Sequence, residues 1–205
     1  LAHVRRRVLQ SVLTVGGVAV GVGVLILALS LTNGFIDELL ESTLRATPHV
    51  PLRSYLADGR MPAEPAIAER ISDHPEVVAV APFLSVETLI ARRADASIGV
   101  SGRQGYAQIL GIDPAAETEV LALPELADSA GRLAEGGSLV LGGSLALQLG
   151  VLPGDEVLIQ DVSGRRERLT VAGDFRVGNE LIDGLIAYAS IDTVQRYLNA
   201  PDEWS

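Results

Sequence analysis

The sequence predicts an α+β protein: one membrane-crossing helix, prolonged as a stalk, that carries a mixed domain of strands and short helices. Three observations carry that expectation. Residues 8–36 contain no charged side chain, more than the roughly 20 residues a helix needs to cross the hydrocarbon core. The rest of the chain breaks into short apolar runs separated by Gly, Pro, Asp and Ser, at spacings that suit strands, turns and short helices. With 48% hydrophobic residues in 205 and a mean hydropathy of +0.31, the chain is too apolar for intrinsic disorder and long enough for one domain or two small ones.

The span comes first. Residues 12–31 are mostly Val, Leu, Ile, Ala and Gly without Pro, so a continuous helix satisfies its own backbone groups in lipid. Arg5, Arg6 and Arg7 precede it, and the first acid of the chain is Asp37. Positive charge stays on the cytoplasmic side, so the N-terminus is expected inside and residues 37–205, with a charge balance of −13, outside. The expected location is the inner (cytoplasmic) membrane with a periplasmic or otherwise extracytoplasmic main domain. A cleaved signal peptide processed near Ala28 and Ser30 competes with this reading, but signal cores run only about 7–15 residues. A buried soluble helix is the third reading, and such helices are rarely apolar on every side over this length. Gly17 and Gly21, with Ala19 and Gly23, form small-xxx-small spacings that admit a neighbouring helix; the plain alternative is that glycine is common in membrane helices. Beyond the span, Phe35, Ile36, Leu39, Leu40 and Leu44 continue at helical spacing as far as Pro48. Asn33, Gly34, Phe35, Leu39 and Leu40 are thus the expected stalk residues, on a rigid connection able to pass motion across the membrane. The chain opens on Leu1, so a fragment or a processed product is expected.

In the exported part, residues 49–56 suit an extended piece. Asp58 to Pro65 form a turn, Ile67, Ala68 and Ile71 share a helix face, and residues 77–84 suit a buried strand. That makes a β-α-β unit. Residues 86–92, 96–101 and 108–112 read as strands, residues 114–137 as a Pro-containing loop with an acidic segment, and 138–141 as a strand. A short helix over 144–149 stops at Gly150. A hairpin over 154–173 turns at Ser163 and Gly164. A strand at 185–189 leads to a last helix with Ile191, Val194, Tyr197 and Leu198 on one face. The expected division is residues 1–47 for helix and stalk, 48–84 for the first α/β subdomain, and 85–205 for a β-rich subdomain with the final helix.

Composition excludes several functions. All 16 basic residues are Arg, so there is no P-loop or Schiff-base lysine. There is no Cys, hence no disulfide, thiolate metal site or thiol nucleophile. A net charge of −10 with scattered arginines argues against nucleic acid. His3, His49 and His74 lack metal-ligand spacing, and the last two are expected as exposed turn residues. Gly142-Gly-Ser144-Leu-Ala146 falls one glycine short of a nucleophile elbow, and Ser144 is read as an ordinary N-cap. Asp174, Glu180 and Asp183 lack calcium-loop alternation and are read as solvated. No catalytic residue, metal or cofactor is expected, and no enzyme; any nucleotide energy must come from another chain.

Several stretches carry a family resemblance: Gly21-Val-Gly-Val-Leu-Ile-Leu-Ala-Leu-Ser30-Leu-Thr-Asn33-Gly34-Phe35, Leu110-Gly111-Ile112-Asp113-Pro114, Leu149-Gly150-Val-Leu-Pro-Gly-Asp155 and Val171-Ala-Gly173-Asp-Phe175. In order and spacing the chain resembles the lipoprotein-releasing permeases of the LolC/LolE type, within the broader FtsX/MacB-like group. The resemblance implies a MacB-like periplasmic domain with a Porter part, of which the β-α-β unit is a portion, and a β-rich Sabre part. It also implies a subunit that couples ATP hydrolysis elsewhere to extraction or export of a lipoprotein, lipid or amphipathic substrate. The alternative is an FtsX-like signalling scaffold that recruits a cell-wall hydrolase. The implied partners are a separate ABC ATPase subunit, a second permease subunit in a homo- or heterodimer, membrane lipid, and a periplasmic adaptor or carrier. One departure stands out. LolC members carry a long loop between the two hairpin strands that captures a lipoprotein carrier, whereas here residues 161–165 turn tightly, against direct hand-over to such a carrier.

Overall fold

The computed structural model describes residues 2–46, 50–54, 59–94, 101–120 and 123–205. They fall into two units, residues 1–41 and 42–205.

The first unit belongs to a single helix, α1 (Ala2–Ala46), unbroken over 45 residues. At 1.5 Å per residue that is about 67 Å of rod. Its most apolar portion, Ser11–Leu40, has a mean hydropathy of 2.6 and no buried residue within that window. Thr32 turns its hydroxyl inward to donate to the Ala28 carbonyl at 2.9 Å, which hides a polar group within the helix's own backbone. Leu1 and residues 47–49 lie outside the described residues, and the side chain of Leu44 is not described.

The second unit is built on a closed six-stranded barrel. Its strands are β2 (Phe83–Arg92), β3 (Arg103–Ile112), β4 (Ser138–Gly142), β5 (Glu156–Gln160), β6 (Arg166–Phe175) and β7 (Ile186–Ser190). The order round the barrel is β2-β3-β7-β4-β6-β5, and β5 returns to β2 through Leu89↔Gln160, Ile90↔Ile159 and Ala91↔Leu158. Closure leaves no edge strand to aggregate. Side chains alternate along each strand, so Leu84 and Ile90, Ala107 and Ile109, Leu139 and Leu141, Val157 and Ile159, Leu169 and Val171, and Ala187 and Ala189 fill the interior. The β4 and β7 strands are buried on both faces: Val140 and Tyr188, with Ala172 and Phe175 from the end of β6, turn outward into a second core beneath α4 (Pro124–Ala134), which contributes Leu126 and Leu133. A bulge between Leu139 and Val140 lets β6 change face.

Two helices close the barrel ends, and glycine makes room for each. α5 (Gly143–Leu149) sends Leu145 to one end, where a Cβ on Gly105 would sit 3.2 Å from Leu145 Cδ1. α7 (Ile191–Leu198) sends Val194 to the other, where a Cβ on Gly111 would sit 2.8 Å from Val194 Cβ.

The expected β-α-β unit changes in detail. Residues 77–82 form no strand and Val78 is fully exposed; the strand begins at Phe83, after Pro82, which brings no N–H to a ladder. Between α1 and that strand the described residues hold β1 (Met61–Pro62), paired with β8 (Glu203–Trp204), and α2 (Pro65–Ser72). Residues 50–54 form no strand, and residues 55–58, like most of the strand expected at 96–101, lie outside the described residues. The loop expected at 114–137 is instead two helices, α3 (Pro114–Val120) and α4. Each opens on a proline, whose fixed φ suits a first helical turn. A further short helix, α6 (Glu180–Asp183), was not expected.

Candidate functional site

Among the described residues, the polar groups that sequence motifs single out are engaged structurally, not gathered for catalysis. Ser144 is not the N-cap of α5: the cap is Gly142, and Ser144 lies inside the helix, donating to Glu180 Oε2 at 2.8 Å. A side chain at Gly142 would collide with the Asp183 carbonyl, so only glycine fits this N-cap position. Asp183 is buried, not solvated, and accepts from the Val177 and Gly178 amides at 2.9 and 3.1 Å. Asp174 pairs with Arg176. These three acids therefore have separate partners, and no group of three or more metal-type ligands occurs among the described residues. His74 is exposed in a turn, and His49 lies outside the described residues.

What the barrel does offer is a mechanical layout. The chain entering it and the chain leaving it are clasped together. Ser205 N–H donates to the Phe83 carbonyl at 2.8 Å, the Ser85 amide donates to Ser205 Oγ at 2.9 Å, and Gln195 Nε2 donates to the Glu203 carbonyl. Beside them the β5–β6 hairpin tip is tied to α7: Arg165 Nη1 donates to the Tyr197 carbonyl, Tyr197 Oη donates to the Arg165 carbonyl at 2.9 Å, and the guanidinium lies over the ring. Burial pushes the Tyr197 hydroxyl up, as does the Asp161 charge. The turn is locked by Asp161, which accepts from the Ser163 hydroxyl at 2.6 Å and the Arg165 amide at 2.9 Å; the first of these bonds holds its carboxyl below the ordinary aspartate range. Val162 stands fully exposed at the tip. At the opposite end Arg92 and Arg103 donate to the last carbonyls of α5, at Gly150, Leu147 and Gln148, as cationic side chains near helix C-termini do. Gly150 holds the left-handed φ of +65° that stops this helix. Sequence reasoning passed over the Arg165–Tyr197 tie and the Ser205 clasp, because each joins residues 32 or more apart and has a backbone group as one partner.

The candidate rod residues all lie on α1. Gly17 and Gly21 share one face, Ala19 and Gly23 another, and a Cβ added at any of the three glycines would meet nothing within 4 Å. Asn33 and Gly34 are exposed, as are Phe35 at 62%, Leu39 at 40% and Leu40 at 57%.

A family model described as the MacB-like periplasmic core domain matches residues 11–205. The chain belongs to the MacB-like periplasmic core domain family. This MacB-like chain is 28% identical over 205 residues to the lipoprotein-releasing system transmembrane protein LolE of Haemophilus influenzae, covering 91% of the chain and 46% of that protein. It is 30% identical over 200 residues to the lipoprotein-releasing system transmembrane protein LolC of Xylella fastidiosa, covering 92% and 46%. It thus spans about half the length of the curated relatives it matches. Among solved structures it is similar to the extracellular domain of the noncanonic ABC-type transporter YknZ from Gram-positive bacteria, at a TM-score of 0.47 and 11% identity over 71% of this chain and 70% of that one. The kinship drawn from the sequence motifs therefore holds.

Proposed function

We propose that this MacB-like chain is the N-terminal part of an ABC transporter permease subunit. It would couple ATP hydrolysis by a separate subunit to extraction or export of a lipoprotein, lipid or amphipathic substrate. The single observation that carries the reading is α1, which runs from the uncharged span into the charged stalk as one unbroken helix without a proline. A continuous helix transmits displacement that a hinge would absorb. In this reading α1 crosses the inner membrane with its N-terminus in the cytoplasm. Gly17, Ala19, Gly21 and Gly23 pack against helices of the same or a second permease subunit, and Asn33, Gly34, Phe35, Leu39 and Leu40 form the stalk. The domain of residues 42–205 is moved in the periplasm and is not itself an enzyme.

The hairpin supports a second reading. Its turn is five residues long and tied to α7, so it lacks the protruding loop with which LolC-type permeases hold a carrier. An FtsX-like signalling scaffold needs no such loop.

The test uses the full-length protein. Residues 1–205 contain no cysteine, so once any cysteine elsewhere in the full-length protein is replaced, single Cys labels at Leu39 and Val162 report stalk and tip. The transport reading expects a co-purifying ATPase, label distances that change with nucleotide, and release of a lipid-linked cargo from proteoliposomes. Absence of an ATPase partner, or label distances indifferent to nucleotide, overturns both readings; movement without release, together with activation of a cell-wall hydrolase, selects the signalling scaffold.

A further inference from the structure

The outer core of the barrel is covered by α4 and, beside it, α3, and α3 carries a group that neither reading of the function uses. Glu117 is only 6% exposed. Carboxylates are almost never buried to that degree without a partner charge, and among the described residues no arginine is ion-paired with it. The groups around it do not favour its charge. Asp113, one turn earlier on the same face, is a second acid; it is already engaged in starting α3, accepting from the Ala115 amide through Oδ1 at 3.0 Å. From the sheet, Tyr188 of β7 is buried at 1% exposure, and the Glu117 charge pushes its phenol further up than burial alone does. From α4, Glu125 is half-buried, while Asp128 and Arg132 are exposed. Val120, at the end of α3, packs on the core that contains Ile112, Phe175 and Tyr188.

We propose that α3 is a pH-operated clasp on the outer core: with the Glu117 carboxyl protonated it lies closed, and loss of that proton drives the carboxylate toward water and releases the helix. The direction follows from where the proton binds more tightly. Burial, and then the Asp113 charge, push Glu117 up from 4.5 to about 7. The closed form therefore keeps a proton that the open form gives up, so closure is strongest below pH 4.5, weakens as pH rises to 7, and changes little above that. Integrating that linkage between pH 5 and pH 8 gives a shift of roughly 70-fold in the open-to-closed ratio. The consequence is a local opening, with the barrel strands intact, that loosens the Val120 edge of an apolar surface.

Hydrogen exchange of the full-length protein in lipid nanodiscs, corrected for the pH dependence of intrinsic exchange, tests this. Peptides covering α3 should lose protection by roughly 70-fold from pH 5 to pH 8, while peptides covering β4 hold theirs. Glu117→Gln should abolish the dependence. Asp113→Asn, which keeps the capping oxygen and removes the charge, should move the window to lower pH. Protection of α3 that is equal at both pH values, a Glu117→Gln variant that titrates like the parent, or a window unmoved by Asp113→Asn each overturns the clasp. If Glu117→Gln does not fold, the Asp113→Asn window decides. None of these readings needs the ATPase partner, so the clasp and the transport function stand or fall separately.

Discussion

The rod and the barrel are made of the same aliphatic residues and use them in opposite ways. On α1, Leu25 is 60% exposed and Leu27 71%; in the barrel, Leu139 and Leu141 are completely buried. The helix is apolar on all sides, so no single face is marked for protein, and its solvent is the bilayer in the reading proposed above. The barrel strands alternate or are apolar throughout, and every inward side chain has a protein neighbour. Truncating a side chain should therefore cost stability in one region and assembly in the other.

The largest effect is expected at Gly142. Even a methyl there collides with the Asp183 carbonyl, so Gly142→Ala should destabilise the domain by about 3 kcal/mol or more, at the upper end of overpacking costs, read as loss of cooperative melting in the full-length protein. Leu141→Ala comes next, at about 2–5 kcal/mol for a buried leucine. Gly34→Pro in the rod should interrupt the helix at a local cost of about 3 kcal/mol, yet leave the barrel melt in place while nucleotide-driven motion of a Val162 label disappears. Loss of the barrel melt in that variant would mean the two regions are not separable. Tyr197→Phe removes one hydrogen bond to the hairpin and should cost about 1 kcal/mol, seen as faster exchange of the Arg165 amide. Smallest of all, Gly17→Leu should leave the melt within about 0.5 kcal/mol and show itself only as weaker association with other membrane helices; unaltered association would remove Gly17 from the packing face.

Much of this contrast is legible along the chain. The 29 uncharged residues, the alternation of Val157 and Ile159 against Leu169 and Val171, and the αL stop at Gly150 are local signals, and each has its counterpart in the structure. The misses share a different cause. Residues 77–82 are as apolar as a strand, but Pro82 and the lack of a ladder partner leave Val78 in solvent. Residues 114–137 look like a polar loop because only Leu126, Ser129 and Leu133 of α4 face the core, and three buried positions in eleven are a faint pattern until the sheet beneath them is known. Ser144 looks like a cap because capping is a matter of one or two residues' register; in the structure Gly142 holds the cap, close against Asp183, and the Ser144 hydroxyl goes to Glu180.

By itself, the sequence determined that this chain has a long apolar helix followed by a mixed domain, that residues 1–205 carry neither lysine nor cysteine, and which family the chain joins. Those properties depend on composition and on periods of a few residues. Only the tertiary structure decided that six strands close into a barrel, that the entering and leaving chains are clasped at Ser205, and that Glu117 is buried with no arginine ion-paired to it among the described residues. Closure, clasp and burial each require groups distant in sequence to meet, and the free energy of such meetings is set by packing and desolvation that no local window contains.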